Sequence, residues 1–193
     1  MKYHEGMRTV LVDPPPHFLQ ERRRLGQDIR DEMWDGVVHV VPSPSTWHQH
    51  FAHRLGHVLF PLAEAQGLLA THETMLFRPG GDRDWRAPDL LYAPFDHASE
   101  RGIEGHAALV IEVRSPGDET YEKLPFYAGV GCREVLVIDR DTCVVELFRL
   151  YEGGEHARTT GSVELASLGA TVTTIEGPGV RVAWDGGSTD VLL

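Results

Sequence analysis

The feature that most constrains the fold is an apolar run, Ala107–Ile111, which ends at the carboxylate of Glu112. A continuous apolar segment of this length is typical of a central strand that is covered on both faces of a sheet. A second run of this kind, Glu134–Asp139, follows after a helix-like segment that extends from Thr120 to Ala128. A strand, a helix and a strand in this order predict a right-handed parallel crossover.

Further helices and strands are predicted around this unit. An amphipathic helix begins after the N-cap Ser45, presents an apolar stripe from Trp47 to Leu62, and ends at Gly67. An earlier helix is predicted over His17–Arg30. The remaining strands are predicted at Val37–Val41, Glu73–Arg78, Ala87–Ala93 and Val144–Arg149. The sequence therefore predicts an α/β fold with a mixed central β-sheet flanked by α-helices.

The length of the chain, 193 residues, fits one domain, and short β-segments in residues 151–193 predict a β-rich C-terminal extension. No apolar run is long enough to span a membrane, and the N-terminus lacks the apolar region of a secretory signal. The only two cysteines, Cys132 and Cys143, have neither a metal-knuckle nor a disulfide-scaffold spacing. A cytoplasmic protein with reduced thiols is predicted.

The formal net charge of −11 argues against tight, nonspecific binding of nucleic acid, which usually requires a basic surface. The same charge is compatible with a site that concentrates metal cations. The local basic run Arg22–Arg24 is interpreted as the exposed face of the first helix. The hairpin strand Val144–Arg149 is predicted to be a sheet edge, which makes it the candidate surface for a homodimer.

Two carboxylates mark the ends of predicted strands. Asp89 lies at the start of one strand and Glu112 near the end of another, so the two converge if the strands are neighbours. Carboxylates and a main-chain carbonyl, most simply that of Val113, are the oxygen ligands that Mg²⁺ and Mn²⁺ prefer. Lys123 is a cationic candidate to orient or deprotonate a bound water or to neutralise a phosphate, and Tyr127 lies one helical turn further on.

The residues alone also permit a purely structural interpretation of this region. Asp89, which follows a proline, is often only a turn former. Glu112 needs a partner because an unpaired carboxylate is costly to bury, and Arg114 on the same strand face is a candidate for a simple ion pair. Lys123 in isolation is most often a solvated helix residue. The metal site and the structural interpretation both remain open at this level.

The order of several short motifs resembles the Uma-type family of restriction-endonuclease-like proteins in the PD-(D/E)xK nuclease-like superfamily. The matching residues are Pro88-Asp89, Glu112-Val-Arg-Ser-Pro116, Lys123 with Tyr127, Gly129-Val130 and Glu134–Asp139. The resemblance covers about residues 16–150 and implies a restriction-endonuclease-like core there, with Asp89 and Glu112 as Mg²⁺ ligands. It also implies hydrolysis of nucleic-acid phosphodiester bonds, with DNA as the expected substrate in preference to RNA.

The sequence departs from the superfamily pattern at Arg114, where the motif has a lysine. An arginine stays protonated and cannot act as a base, but Lys123 matches a family lysine on the following helix. The resemblance also adds Glu32 as a candidate further acidic ligand, with an N-terminal surface charge as the alternative, and His48 as a candidate phosphate or substrate contact. Arg114 and Tyr127 are further candidate substrate contacts. A nuclease-like fold that serves binding or assembly without catalysis is the alternative prediction.

The histidines of the long predicted helix require a separate interpretation. His53 and His57 have the i, i+4 spacing of a metal-binding pair, but no third ligand is evident in the sequence. They lie away from the apolar stripe, so a solvated face is predicted for them. His48, at the start of the helix and beside the stripe, is therefore the one histidine of this helix that is assigned to the candidate site.

Overall fold

The computed structural model describes residues 9–28, 30–81, 83–152, 154 and 156–193. Residues 1–8 of the predicted domain and Ile29 of the first predicted helix lie outside the described residues. The helices are α1 (Pro16–Arg24), α2 (Thr46–Ala65) and α3 (Leu124–Gly129), with 3-10 turns at Phe95–His97 and Thr120–Lys123. The strands of the first half are β1 (Thr9–Val12), β2 (Glu32–Trp34), β3 (Val37–Val40), β4 (Leu68–His72), β5 (Leu76–Phe77), β6 (Trp85–Arg86), β7 (Leu90–Pro94), β8 (Ala98–Ser99) and β9 (Gly102–Glu104). The strands of the second half are β10 (Leu109–Arg114), β11 (Glu134–Asp139), β12 (Val145–Leu150), β13 (His156–Thr160), β14 (Ser162–Leu165), β15 (Ala170–Thr174), β16 (Gly179–Trp184) and β17 (Gly187–Leu192).

The central sheet has the strand order β13-β12-β11-β10-β7-β4. Strands β10 and β11 are parallel, whereas β10–β7, β7–β4, β11–β12 and β12–β13 are antiparallel, so the sheet is mixed as predicted. The apolar residues of β10 and β11 are buried throughout, which agrees with a strand pair covered on both faces. The predicted parallel pair is therefore confirmed, with α3 in the connection between its strands.

Helix α2 packs against one face of this sheet. Its N-cap is Ser45, whose hydroxyl accepts a hydrogen bond of 3.2 Å from the N–H of His48. Phe51, Leu55 and Leu59 are fully buried in a cluster that also contains residues of β7, β10 and β11. Trp47 departs from the predicted stripe, since its side chain is 64% exposed. The helix continues through Pro61 to Ala65.

Two further sheets complete the described structure. One has the order β1-β3-β2-β6-β5-β9-β8. Its strand β2 bears Glu32, whose side chain contacts Lys123. The other is the antiparallel sheet β14-β15-β16-β17, whose apolar residues join the cluster beneath α2. The C-terminal extension thus supplies β13 to the central sheet and then a separate layer that covers the helix.

The structure corrects three predictions about elements. Helix α1 ends at Arg24 and does not continue to Arg30, because Gly26 follows in the left-handed conformation with φ 64°. The segment from Thr120 begins as a 3-10 turn and becomes α-helical only at Leu124, and Pro125 then lies in the first helical turn, where no backbone donor is needed.

The third correction concerns the predicted sheet edge at Val144–Arg149. The strand is β12, and it pairs with β11 on one side and with β13 on the other, so its backbone groups are not available to a second copy. The polar strand His156–Thr160 was not recognised as a partner because it lacks an apolar pattern. Self-association through another surface stays a prediction. None of the helices in the described ranges is long and apolar enough to cross a membrane.

Candidate active site

Asp89 and Glu112 are neighbours because their strands are antiparallel. In the pairing of β7 with β10, Leu90 lies opposite Ile111. The start of one antiparallel strand lies beside the end of the other, so Asp89, just before β7, is adjacent to Glu112 and Val113. The predicted convergence of the two carboxylates on neighbouring strands is therefore present in the structure.

Asp89 is held by one side-chain and one main-chain donor. Its Oδ1 lies 2.8 Å from Nε2 of His48, and its Oδ2 accepts a 2.7 Å hydrogen bond from the N–H of Val113. The Asp89 carboxylate therefore accepts the hydrogen bond that a main-chain carbonyl would accept if β7 extended further towards its N-terminus. Because the N–H and C=O of one strand residue point to the same side, the carbonyl of Val113 also faces the Asp89 side.

Glu112 is buried and has two side-chain partners. Its Oε1 accepts a 2.5 Å hydrogen bond from the hydroxyl of Tyr127 and lies 3.1 Å from Nζ of Lys123. Tyr127 is fully buried, so it contributes to the site by holding Glu112. The predicted interpretation of Glu112 as the partner of Arg114 is wrong, since Lys123 fills that role.

Lys123 bridges two carboxylates that come from different sheets. Its Nζ lies 2.8 Å from Oε1 of Glu32 in addition to its contact with Glu112. Glu32 is buried on β2, and it also accepts hydrogen bonds from the N–H of Ala87 at 3.0 Å and from Nε1 of Trp34 at 2.8 Å. Glu32 is thus an internal residue of the site and not a surface charge, and it fixes the position of the lysine.

The protonation of these residues follows from their burial and their neighbours. Burial raises the pKa of Glu112 to about 7, the charges of Asp89 and Glu32 act in the same direction, and Lys123 and Tyr127 oppose them. Burial lowers the pKa of Lys123, but the charges of Glu112 and Glu32 outweigh this effect and raise it overall. Lys123 therefore stays a cation, which favours charge compensation over the predicted role as a base.

His48 is a buried partner of Asp89 at the first turn of α2. Burial lowers its pKa, but the hydrogen bond and charge of Asp89, together with the charge of Glu112, raise the pKa overall. Its other ring nitrogen, Nδ1, is buried and has no hydrogen-bond partner within the described residues. The structure thus places His48 in the site, where it holds Asp89.

Arg114 lies at the edge of this cluster and not within it. Its Nη1 lies 2.6 Å from Oδ2 of Asp139, the residue opposite it on β11, and its guanidinium carbon lies 5.2 Å from the ring centroid of Tyr121. His53 and His57 are exposed on α2, as predicted for a solvated face.

Arg140 belongs to this edge and was missed in the sequence. It follows β11 directly, and its N–H donates a 2.9 Å hydrogen bond to the carbonyl of Arg114. Its positive charge also acts on His48. In the sequence, Arg140 stands immediately after the apolar run Glu134–Asp139. Because the C-terminal ends of neighbouring parallel strands lie side by side, this position indicates that Arg140 is close to the end of β10.

The residues of the site fit a hard divalent cation with few protein ligands. No group of three histidine, cysteine or acidic side chains is arranged to hold a metal in the part of the chain that the structure describes. Mg²⁺ usually keeps several waters and takes one or two protein carboxylates, which Asp89 and Glu112 provide next to the carbonyl of Val113. Burial raises the pKa of Glu112, the charges of Asp89 and Glu32 add to this effect, and a bound cation would oppose it.

The overall fold indicates the class of protein. The fold is similar to that of a solved structure described as a "putative nuclease belonging to DUF820" from Anabaena variabilis, with a TM-score of 0.56 and 15% identity over 68% of this chain and 75% of that chain. The class is therefore the nuclease-like α/β fold. Residues 16–176 match the model of the Uma2 family, described as "Putative restriction endonuclease", and the chain belongs to this family. No curated protein matches the chain.

Proposed function

We propose that this protein is a metal-dependent endonuclease that hydrolyses phosphodiester bonds of nucleic acid, with Mg²⁺ or Mn²⁺ as its cofactor. The observation that carries the proposal is the contact between Asp89 and Val113 beside the buried Glu112–Lys123 pair. A carboxylate pair next to a permanent cation is suited to hydrolysis at a phosphate, because both the metal ion and the developing negative charge need compensation. The family description as a restriction endonuclease supports DNA as the substrate.

Asp89, Glu112 and the carbonyl of Val113 would hold the cation. A bound Mg²⁺ supplies a more acidic water and a Lewis acid for the phosphate oxygens. His48 and the N–H of Val113 fix the two oxygens of Asp89, and Tyr127 fixes Glu112. These contacts keep both carboxylates in place before any ligand arrives, which is the preorganisation that a catalytic site needs.

Lys123 acts in this proposal through its charge. The neighbouring carboxylates hold it as an ammonium group, and Glu32 fixes it from the opposite side. A fixed cation beside the scissile phosphate favours the transition state, in which negative charge increases on the phosphate oxygens. Arg114, which is partly exposed at the strand end, is proposed as a substrate contact next to this cluster.

A cleavage assay tests the proposal. Labelled duplex and single-stranded DNA and RNA are incubated with the protein and Mg²⁺ or Mn²⁺, and the variants Asp89→Asn, Glu112→Gln and Lys123→Met are compared with wild type. Each variant is expected to lose at least about a hundredfold in rate, the usual effect of removing one electrostatic catalytic group. Asp190→Asn, which breaks an exposed ion pair on β17, serves as the control and should keep wild-type activity. Equal activity in all four variants would rule out this site.

The second candidate function is that of a nuclease-like module for binding or assembly without catalysis. It is favoured by the ion pairs of Lys123, which already compensate part of the charge of Glu32 and Glu112 without a metal. Calorimetric titration with Mn²⁺ separates the two candidates, since only the nuclease requires binding at Asp89 and Glu112. Absence of binding at millimolar Mn²⁺ would favour the module. The buried, free thiols of Cys132 and Cys143 support a reducing, cytoplasmic location in either case.

A further inference from the structure

The charge of the protein poses a specific problem for a nucleic-acid substrate. The chain carries a net charge of −11, and the candidate site contains the carboxylates of Glu32, Asp89 and Glu112. A phosphodiester backbone that approaches this edge is repelled unless cations lie close to its path. Lys123 is buried between two carboxylates and is already paired with both. The substrate therefore needs further cations at the mouth of the site, by which we mean the C-terminal ends of β10 and β11.

Arg140 lies at this mouth for a topological reason. Strands β10 and β11 are parallel and in register from Leu109 opposite Glu134 to Arg114 opposite Asp139. Their C-terminal ends therefore meet at one edge of the sheet, where the N–H of Arg140 donates to the carbonyl of Arg114 at 2.9 Å. Arg140 is thus anchored by its backbone directly after the neighbouring strand, three positions beyond Val137, the residue that pairs with Glu112.

The side chain of Arg140 contacts one carboxylate and one hydroxyl. Its Nε donates to Oδ1 of Asp141 at 2.9 Å and its Nη2 lies 2.9 Å from the same oxygen, while its Nη1 lies 3.4 Å from Oγ of Ser115. The side chain of Asp141 is 53% exposed, and exposed ion pairs of this kind contribute little to stability. The guanidinium can therefore exchange Asp141 for a phosphate without leaving a buried charge unpaired.

Arg114 is less free to make such an exchange. Its partner Asp139 is itself tied to the following turn, because Oδ1 of Asp139 accepts hydrogen bonds from the N–H groups of Asp141 and Thr142. Arg114 also covers the ring of Tyr121. Compared with Arg114, Arg140 is paired with a more exposed carboxylate, so its planar donor group can more readily exchange that partner for a ligand.

Arg140 also acts electrostatically on a residue of the candidate site. Its positive charge is felt at the buried imidazole of His48, which holds Asp89 at 2.8 Å. Arg140 follows β11 directly, and His48 lies in the first turn of α2.

We propose that the guanidinium of Arg140, together with the hydroxyl of Ser115, forms a phosphate-binding site for the nucleic-acid strand at the mouth of the active site. The inference rests on the proposed nuclease function and extends it to a residue that contacts the backbone of the substrate. An arginine suits this role because its planar guanidinium can donate two parallel hydrogen bonds to one phosphate. The site recognises the backbone and carries no base specificity.

The salt dependence of binding provides the test. The affinity of the full-length protein for a labelled DNA duplex is measured by fluorescence anisotropy across a salt series in the presence of Ca²⁺, which stands in for Mg²⁺ to prevent cleavage. Arg140→Gln is expected to weaken binding about tenfold and to reduce the slope of log K against log salt by about 0.9, the value for one lost phosphate contact. Arg140→Lys should keep most of the slope, because the charge is retained.

The matched control is Arg181→Gln. Arg181 is paired with Asp190 on the C-terminal sheet at 2.7 Å and is also partly exposed, but it lies on a different sheet from the site. This variant should keep the wild-type affinity and slope. A general loss of charge would affect both variants equally, whereas a phosphate contact affects only Arg140.

Each outcome distinguishes the inference from the function on which it rests. If wild type binds and cleaves DNA but Arg140→Gln keeps its affinity, salt slope and KM, the phosphate site is overturned and the nuclease stands. If wild type neither binds nor cleaves any nucleic acid tested, both are overturned. Loss of affinity without a change of slope would assign Arg140 a structural role and would overturn the phosphate contact.

Discussion

Lys123 lies 3.1 Å from Glu112 although the two residues belong to different elements, a 3-10 turn and the central strand β10. The superfamily pattern has a lysine two residues after the acidic residue, and here that position is Arg114. The structure supplies the missing ammonium from the following turn and fixes it with Glu32 from another sheet. The displaced lysine of the sequence is therefore an integral part of the carboxylate cluster.

Removal of the ammonium should destabilise the whole protein. Lys123→Met leaves Glu32 and Glu112 buried without their common partner, and breaking a buried pair in this way costs about 3–5 kcal/mol. Urea unfolding at pH 8 in the presence of a chelator measures the loss. Arg181→Gln, which breaks an exposed pair, should leave the free energy of unfolding close to that of wild type. A loss as small as that of the control would show that Lys123 is not the compensating charge.

The stability of the protein should depend on pH through Glu112. Its pKa is raised from 4.5 to about 7 in the folded state, so between these values the folded protein binds more protons than the unfolded chain. The contribution of Glu112 is therefore fully present below pH 4.5 and is lost as the pH rises through 7, by up to about 1.4 kcal/mol per pH unit.

Comparison with Glu112→Gln isolates this contribution, because glutamine does not titrate. The free energy of unfolding of wild type minus that of the variant should decrease from pH 5 to pH 8 in urea titrations. Parallel profiles of the two proteins would contradict a raised pKa of Glu112.

Metal binding should be visible as an increase in stability without any substrate. Mg²⁺ or Mn²⁺ that binds only the folded protein stabilises it by about 2.7 kcal/mol when the metal concentration is a hundred times the Kd. Asp89→Asn removes one carboxylate charge from the site, so the increase in Tm with Mn²⁺ should be reduced or lost. Asp190→Asn should show the wild-type increase. A thermal shift with Mn²⁺ that persists in Asp89→Asn would place the metal elsewhere.

The hydroxyl of Tyr127 should contribute to stability through Glu112. Tyr127→Phe removes a 2.5 Å hydrogen bond to a buried carboxylate, and the unmet acceptor should cost about 1–3 kcal/mol. Tyr151→Phe is the matched control, because Tyr151 is 58% exposed. Chemical unfolding of both variants gives the comparison, and equal, small effects would show that Glu112 does not depend on this donor.

Several parts of the structure followed directly from local patterns. The apolar run before Glu112 and the run Glu134–Asp139 predicted the parallel strands β10 and β11, because buried strands require continuous apolar sequence. The helical stripe and Ser45 predicted α2 together with its start. Asp89 and Glu112 were recognisable as a pair because each lies at a strand end, which is where side chains from neighbouring strands meet.

The same patterns gave wrong predictions where the surroundings of a residue or strand depend on a neighbouring element. The strand β12 looked like an edge because its partner β13 is polar, and Trp47 looked buried because it continues the helical spacing of the stripe. The predicted pairing of Arg114 with Glu112 is also wrong. Its guanidinium pairs with Asp139, which the register of β10 and β11 brings opposite to it.

By itself the sequence determined the central strands β10 and β11, the long helix and the two carboxylates, because hydrophobic periodicity and strand-end positions are local properties of the chain. Only the tertiary structure decided that Glu112 pairs with Lys123 and Asp89 with His48. Glu32, His48 and Lys123 come from a strand, a helix and a 3-10 turn that are distant in the chain. Their convergence depends on strand order and packing between sheets, and these long-range relations also placed Arg140 at the same edge.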